Sequence, residues 1–382
     1  MLRDALKGSD FITRLRLEWV YAFRDNELPT PQVIQLLGAN DEYVSATDSN
    51  DVTSFRDGKL FMIGGAGHED FAIFNDASDD KYVRLKRAAL EPVDDLTGDE
   101  EPLDESNLPS AVLFELHGIR DYGGWLDKFA ETARSVDTRI RVEKPGYGYF
   151  SVIDFIVPWR RRQRIAWFCD RYTEQVAAMA ATNMDVPFLV IGHSYGTYLI
   201  AECLRRFPHM RFRRACFVGS VVPENFPQWR PILIEKKQLR ALRNDCATHD
   251  WPVAICCRIL NQMGFKDIGR GGFVGFRIGV DEAVDNLYVP GNHSATLTSE
   301  EGRRSAVQYL LGHPTTWPQT VQAPRWMLLA SQWAFPVVLL ATILAAFYGL
   351  PAVDQAAHWI NVAPHFILGG LIVACVIFLI YI

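Results

Sequence analysis

Phe188-Leu189-Val190-Ile191-Gly192-His193-Ser194-Tyr195-Gly196-Thr197 decides the fold of this chain. The four apolar residues at its start suit a strand buried on both faces. Beyond it, Leu199, Ile200, Cys203, Leu204 and Phe207 fall on one side of a helix. Between strand and helix stands Ser194, with a glycine two residues away on either side. A turn this sharp leaves no room for side chains at 192 and 196. It lifts the serine hydroxyl over the sheet edge, beside the positive end of the new helix. His193 points elsewhere on such a turn and reads as packing.

Short apolar strands alternate with helices on both sides of this stretch. Strands are expected at 111–116, 139–142, 188–191, 216–220 and 238–244, and helices at 165–181 and from about Thr197. The alternation predicts an α/β fold, a mostly parallel sheet covered by helices on both faces.

A serine hydroxyl is a weak nucleophile unless a histidine takes its proton and a carboxylate orients that histidine. After a turn of this kind the acid and then the histidine follow in the chain. Asp250 lies in the loop after the strand at 238–244. Its rival Asp245 falls at the strand end, several residues early, and surface solvation suits Asp267, Asp281 and Asp285 better. His293 lies in Val289-Pro290-Gly291-Asn292-His293-Ser294, a glycine-containing loop before a helix that starts near Ser299. His249 sits beside the acid rather than after a further strand, and His313 follows the last soluble helix. Two backbone N–H groups would face the developing oxyanion. One is that of Tyr195; the other is that of Gly118 or Ile119, in the loop after the strand ending at His117. Arg120 and Asp121 in the same loop read as a local ion pair.

Together Ser194, Asp250, His293 and the His117-Gly118 loop resemble an α/β-hydrolase, over residues 110–312. The resemblance implies acyl transfer through a covalent acyl-enzyme on an ester, thioester or amide, with no metal or organic cofactor. A serine nucleophile argues against dehalogenase and epoxide hydrolase chemistry. A catalytically idle signalling or interaction protein on the same fold is the alternative.

The rest of the chain divides around this unit. Residues 1–107 form an N-terminal region that adds strands to the sheet or caps the site; 108–313 form the catalytic core; 326–382 form the tail. In the first region a stripe of Phe11, Ile12, Leu15, Trp19 and Phe23 suggests a helix packed on a core, and 59–63, 71–74 and 82–85 suggest strands. Residues 91–105, with eight acids and no base, read as a solvated loop.

The tail is a different material. Residues 326–382 hold no Lys or Arg and one acid, Asp354. Two charge-free runs, 326–350 and 362–382, are each long enough to cross the roughly 30 Å hydrocarbon layer as helices. They predict a two-helix transmembrane hairpin, kinked at Pro336. Arg303, Arg304 and Arg325 precede the first run and the 351–361 loop has no Lys or Arg, which puts the catalytic unit in the cytoplasm. The hairpin implies a partnership with the bilayer and a lipid or acylated small-molecule substrate. As an anchor it should be separable: a chain ending near Gln322 should still cleave a short soluble ester.

The net charge of −6 over 382 residues excludes nucleic-acid binding through overall positive charge. The seven cysteines, odd in number and mostly inside apolar runs, read as reduced core residues. Arginines at 160–164 and 205–214 read as solvated faces, or else as a contact with anionic headgroups. The sequon at Asn292 should be unused.

Overall fold

The computed structural model describes residues 9–24, 33–39, 58–64, 66–67, 73–92, 95–96, 98, 108–119, 124–144, 151–180, 186–277, 284–315 and 322–354. They fall into two compact units. One joins residues 1–109 to 169–186, and the other joins 110–168 to 187–382.

The smaller unit holds two parallel strands, β1 (Ile34–Gly38) and β2 (Lys59–Ile63). Phe61 and Leu96 make a small core with Ile34 and Leu36. Its first helix, Asp10–Arg24, buries Leu17, Val20 and Tyr21, and the Tyr21 hydroxyl meets that of Tyr172 at 3.1 Å. The expected core stripe is therefore displaced: Phe11, Leu15 and Trp19 lie on the exposed side. The expected strand at 82–85 is instead part of a helix, Asp80–Leu90. The Asp79 carboxylate accepts the Lys81 N–H at its start, which favours a helix over a strand there. Of the expected strand at 71–74, residues 71 and 72 lie outside the described residues, and Ile73 and Phe74 are exposed and not in a strand.

The larger unit is built on six parallel strands: β3 (Val112–Leu116), β4 (Arg141–Glu143), β5 (Phe188–His193), β6 (Phe212–Val218), β7 (Leu239–Ala247) and β8 (Val284–Val289). Their spatial order is β4-β3-β5-β6-β7-β8. Leu116 pairs with Gly192, His193 with Val218, Val218 with Asp245, and Ala247 with Val289. Parallel strands in this register bring all their carboxyl ends to one edge, where the connecting loops can meet over a substrate.

Both sheet faces are covered. On one, Leu113, Leu189, Ile191, Cys216 and Val218 pack against Phe129 and Ala133 of helix Gly124–Val136 and against Ala306, Val307 and Leu310 of helix Glu300–Leu311. Phe129 is fully buried, so Phe129→Ala should cost about 3–5 kcal/mol. On the other, Phe114 lies among Phe168, Phe188 and Phe212, with ring centroids 5.8–6.3 Å away. One residue breaks the pattern. Glu115, on the Leu113 face, is fully buried, and neither carboxyl oxygen has a hydrogen-bond partner among the described residues. Burial pushes its acid well above the ordinary range; attraction to Lys144 and Arg134 offsets this only in part. The six described cysteines are all buried, as core residues should be.

The tail begins as one helix, Arg325–Asp354, which runs through Pro336. Its segment Arg325–Ile343 is long and apolar enough to cross a membrane. Met327 and Ser331 are buried, whereas Trp326, Leu329, Trp333, Val337, Leu340 and Ile343 are exposed. The second apolar run, 362–382, lies outside the described residues.

Candidate active site

Ser194 stands between β5 and the helix Tyr195–Arg206, with φ of 52° and ψ of −116°. A non-glycine residue with positive φ is uncommon and costs of order 1–3 kcal/mol, so its surroundings must hold it there. They do so by close packing. A Cβ at Gly196 would overlap the Leu116 carbonyl, and a Cβ at Gly192 would lie 2.9 Å from the Gly196 carbonyl carbon and the Thr197 nitrogen. The Ser194 N–H donates to Val218 O at 2.9 Å, and the Thr197 hydroxyl donates to Ser194 O at 2.6 Å. Tyr195 through Leu204 are all buried, so the helix is gripped on every side.

The loops that carry Asp250 and His293 continue the β7–β8 ladder. Thr248 N–H donates to Val289 O and His249 N–H to Gly291 O, both at 2.9 Å. Just past these bonds, His293 Nδ1 donates to Asp250 Oδ2 at 2.7 Å. The other Asp250 oxygen accepts the Val253 N–H at 3.0 Å, and the carboxylate is wholly buried. Burial alone lowers the pKa of His293, but the Asp250 charge and hydrogen bond outweigh it and raise the value above the usual 6.5. Behind the imidazole is Gly219, at φ 56°, where a Cβ would lie 2.6 Å from His293 Cε1 and Nδ1. Gly118 approaches Ser194 just as closely: a Cβ there would lie 2.8 Å from Ser194 Cβ. Its backbone and that of Tyr195 thus flank the serine. Ile119 is described without a hydrogen bond to the site, and Arg120 and Asp121 lie outside the described residues.

Several weighed residues fall elsewhere than expected. β7 runs three residues past its expected end, so Asp245 is inside the strand, held by Arg243 at 2.6 and 2.9 Å and by the Thr296 hydroxyl at 2.8 Å. Asp267 is no solvated bystander. Arg161 Nη2 alone donates to both of its oxygens, at 3.0 and 2.9 Å, and it accepts the Tyr198 hydroxyl at 3.0 Å. Arg161 is therefore a buried strut rather than part of a solvated face; it also donates to Phe155 O at 2.5 Å. His193 does more than pack. Its ring lies 4.8 Å from that of His293, and its Nε2 is 3.2 Å from Ser294 Oγ. Adjacency to Ser194 was the available signal, but strand alternation alone does not reveal which loop faces it.

A parallel sheet in this order, with a strained serine turn after a central strand, is the arrangement that the resemblance to α/β-hydrolases implies. No family model matches the sequence, and no curated protein does. Among solved structures, an uncharacterized protein from Bacillus cereus is 13% identical, with a TM-score of 0.36 over 60% of this chain and 67% of its own. A carboxylesterase from Mesorhizobium loti is 16% identical, with a TM-score of 0.33 over 53% and 89%. A predicted hydrolase from Thermoplasma acidophilum is 14% identical, with a TM-score of 0.33 over 53% and 86%. What this chain does has to be argued from its own site.

Proposed function

We propose that this chain is a membrane-anchored serine hydrolase that cleaves an ester or thioester, or an amide, of a lipophilic substrate. The observation that carries the reading is the 2.7 Å bond between His293 and a wholly buried Asp250, in loops that open on the same sheet edge as the strained Ser194.

In this mechanism His293 Nε2 takes the Ser194 proton as Oγ bonds to the substrate carbonyl carbon. The carbonyl electron pair moves onto oxygen, where the N–H groups of Tyr195 and of Gly118 or Ile119 hold the negative charge. The tetrahedral adduct collapses, and the leaving group departs with the proton from His293. Water then attacks the acyl-enzyme with His293 again as base, releasing the acid and restoring Ser194. Asp250 holds the imidazole in one tautomer and stabilises its cation. No step calls for a metal or an organic cofactor.

The membrane part of the reading is supported by the exposed apolar face of Arg325–Ile343, which water would cover poorly. A second span at 362–382 would complete the hairpin, with the catalytic unit on the cytoplasmic side. Anchoring concentrates a lipid or acylated substrate at the site without any new contact.

The test is a fluorophosphonate probe together with short p-nitrophenyl esters. The wild type should be labelled and active, and Ser194→Ala should be neither; His293→Ala should label slowly. Equal labelling of wild type and Ser194→Ala would remove Ser194 as the nucleophile. No labelling or turnover of either would favour an idle interaction protein.

A further inference from the structure

We propose that Ser331, in the apolar helix Arg325–Asp354, is a positioning residue for the Asp250–His293 pair. The proposal rests on the hydrolase reading above and adds to it a structural link between the tail and the site.

Ser331 is fully buried, two turns into the helix, and joins two segments of the larger unit. Its hydroxyl donates to Ala254 O at 2.5 Å and accepts from Arg270 Nη1 at 2.8 Å. The first bond leads to the acid. Ala254 N–H donates to Asp250 O at 2.9 Å, and its neighbour Val253 N–H donates to the Asp250 carboxylate. Ala254 thus links the turn that holds Asp250 to the apolar helix.

The second bond leads to the base. Arg270 is nearly buried and pairs with Glu224 at 3.1 Å. The two residues after it, Gly271 and Gly272, donate to Val222 O and Ser220 O at 2.9 and 2.8 Å. Ser220 follows Gly219, the residue against which the His293 ring packs. One hydroxyl therefore fastens both the acid turn and the segment behind the base.

A helix that served only as an anchor has no use for a buried hydroxyl at this point. Without both partners a buried polar group is costly, and without Ser331 the Arg270 fork and Ala254 O would each lose one. The tail is then not separable: ending the chain near Gln322 removes Ser331 and should impair cleavage of soluble esters too, contrary to the expectation from sequence.

The experiment uses the full chain in detergent micelles with p-nitrophenyl butyrate, so that membrane delivery of substrate plays no part. Ser331→Ala should lower kcat about tenfold with little change in KM, a barrier change of about 1.4 kcal/mol. It should also move the acid limb of kcat/KM to lower pH, because a displaced Asp250 raises the His293 pKa less. Ser331→Thr should restore both, and Leu329→Ala, on the exposed face, should change neither. Should Ser331→Ala fail to fold, Ser331→Cys keeps the size, weakens both hydrogen bonds and carries the same readings. Wild-type kcat and an unmoved acid limb in the hydroxyl-less variant, whatever its Tm, would overturn the proposal. Loss of activity in Ser194→Ala beside that result would leave the hydrolase reading intact; full activity in Ser194→Ala would sink that reading itself.

Discussion

His193 and His293 face each other with ring centroids 4.8 Å apart, and His193 reaches past the base to Ser294, its neighbour in the chain. The residue before the proposed nucleophile Ser194 thereby braces the loop that carries the proposed base, His293. His193→Phe keeps a ring against Trp125 and His293 but loses the bond to Ser294. It should lower kcat/KM about three- to tenfold, the worth of one hydrogen bond of about 1 kcal/mol. Ser294→Ala should do the same, and the double variant no more than either alone. Additive losses in that cycle would show that the two residues act independently.

The pH profile should report the environment of His293. The base must be neutral to take the serine proton, so kcat/KM for an uncharged ester should rise with pH along a limb centred above 6.5. In Asp250→Asn only burial remains, and the limb should move below that value while kcat falls by about 10⁴. The electrostatic part of the pair's contribution to folding runs the other way. It is fully present below the ordinary imidazole value and is lost as pH rises through the raised one. A limb at the same pH in wild type and Asp250→Asn would refute the coupling.

Glu115 makes stability depend on pH in the opposite sense from an ion-paired carboxylate. Its folded pKa lies well above 4.5, so the folded chain holds one more proton than the unfolded chain between the two values. Stability should therefore fall as pH rises across that window. Glu115→Leu removes the slope and should gain on the order of 1–3 kcal/mol at the alkaline end, with a smaller difference near pH 4. Denaturant midpoints of both proteins at several pH values measure it; parallel curves would mean that the carboxyl is ionised and stabilised in the fold.

The proposed membrane orientation can be tested by labelling. In a functional background without native cysteines, Gln355→Cys should react with an impermeant maleimide in intact cells, and Ser106→Cys only after lysis. The reverse pattern would put the catalytic unit outside.

What was legible in the sequence follows from local sterics. Gly192, Ser194 and Gly196 could be placed because a turn that tight excludes side chains, and β5 and its helix because their apolar patterns are uninterrupted. Asp250 and His293 were found by chain order, and their pairing lies three and four residues past matched strand ends. Edge elements were harder. β8, Val-Asp-Asn-Leu-Tyr-Val, lies at the edge of the sheet and has polar residues where a buried strand would be apolar. Asn286 fits there because its side chain bonds to Asn244 and to the Phe276 backbone, partners that no local pattern announces. Arg161 and Asp267 were misread for the same reason, being 106 residues apart in the chain.

The β7–β8 register has a consequence for changes of length. Asp250 and His293 each follow the last paired residues, Ala247 and Val289, by a few positions, and two further backbone bonds tie the loops between. Deleting one residue from β8 would draw His293 back by about 3.3 Å and turn the preceding side chains to the opposite face. The two groups would then miss each other although both were still present. A single-codon deletion in β8 should thus be as damaging as the loss of His293 itself.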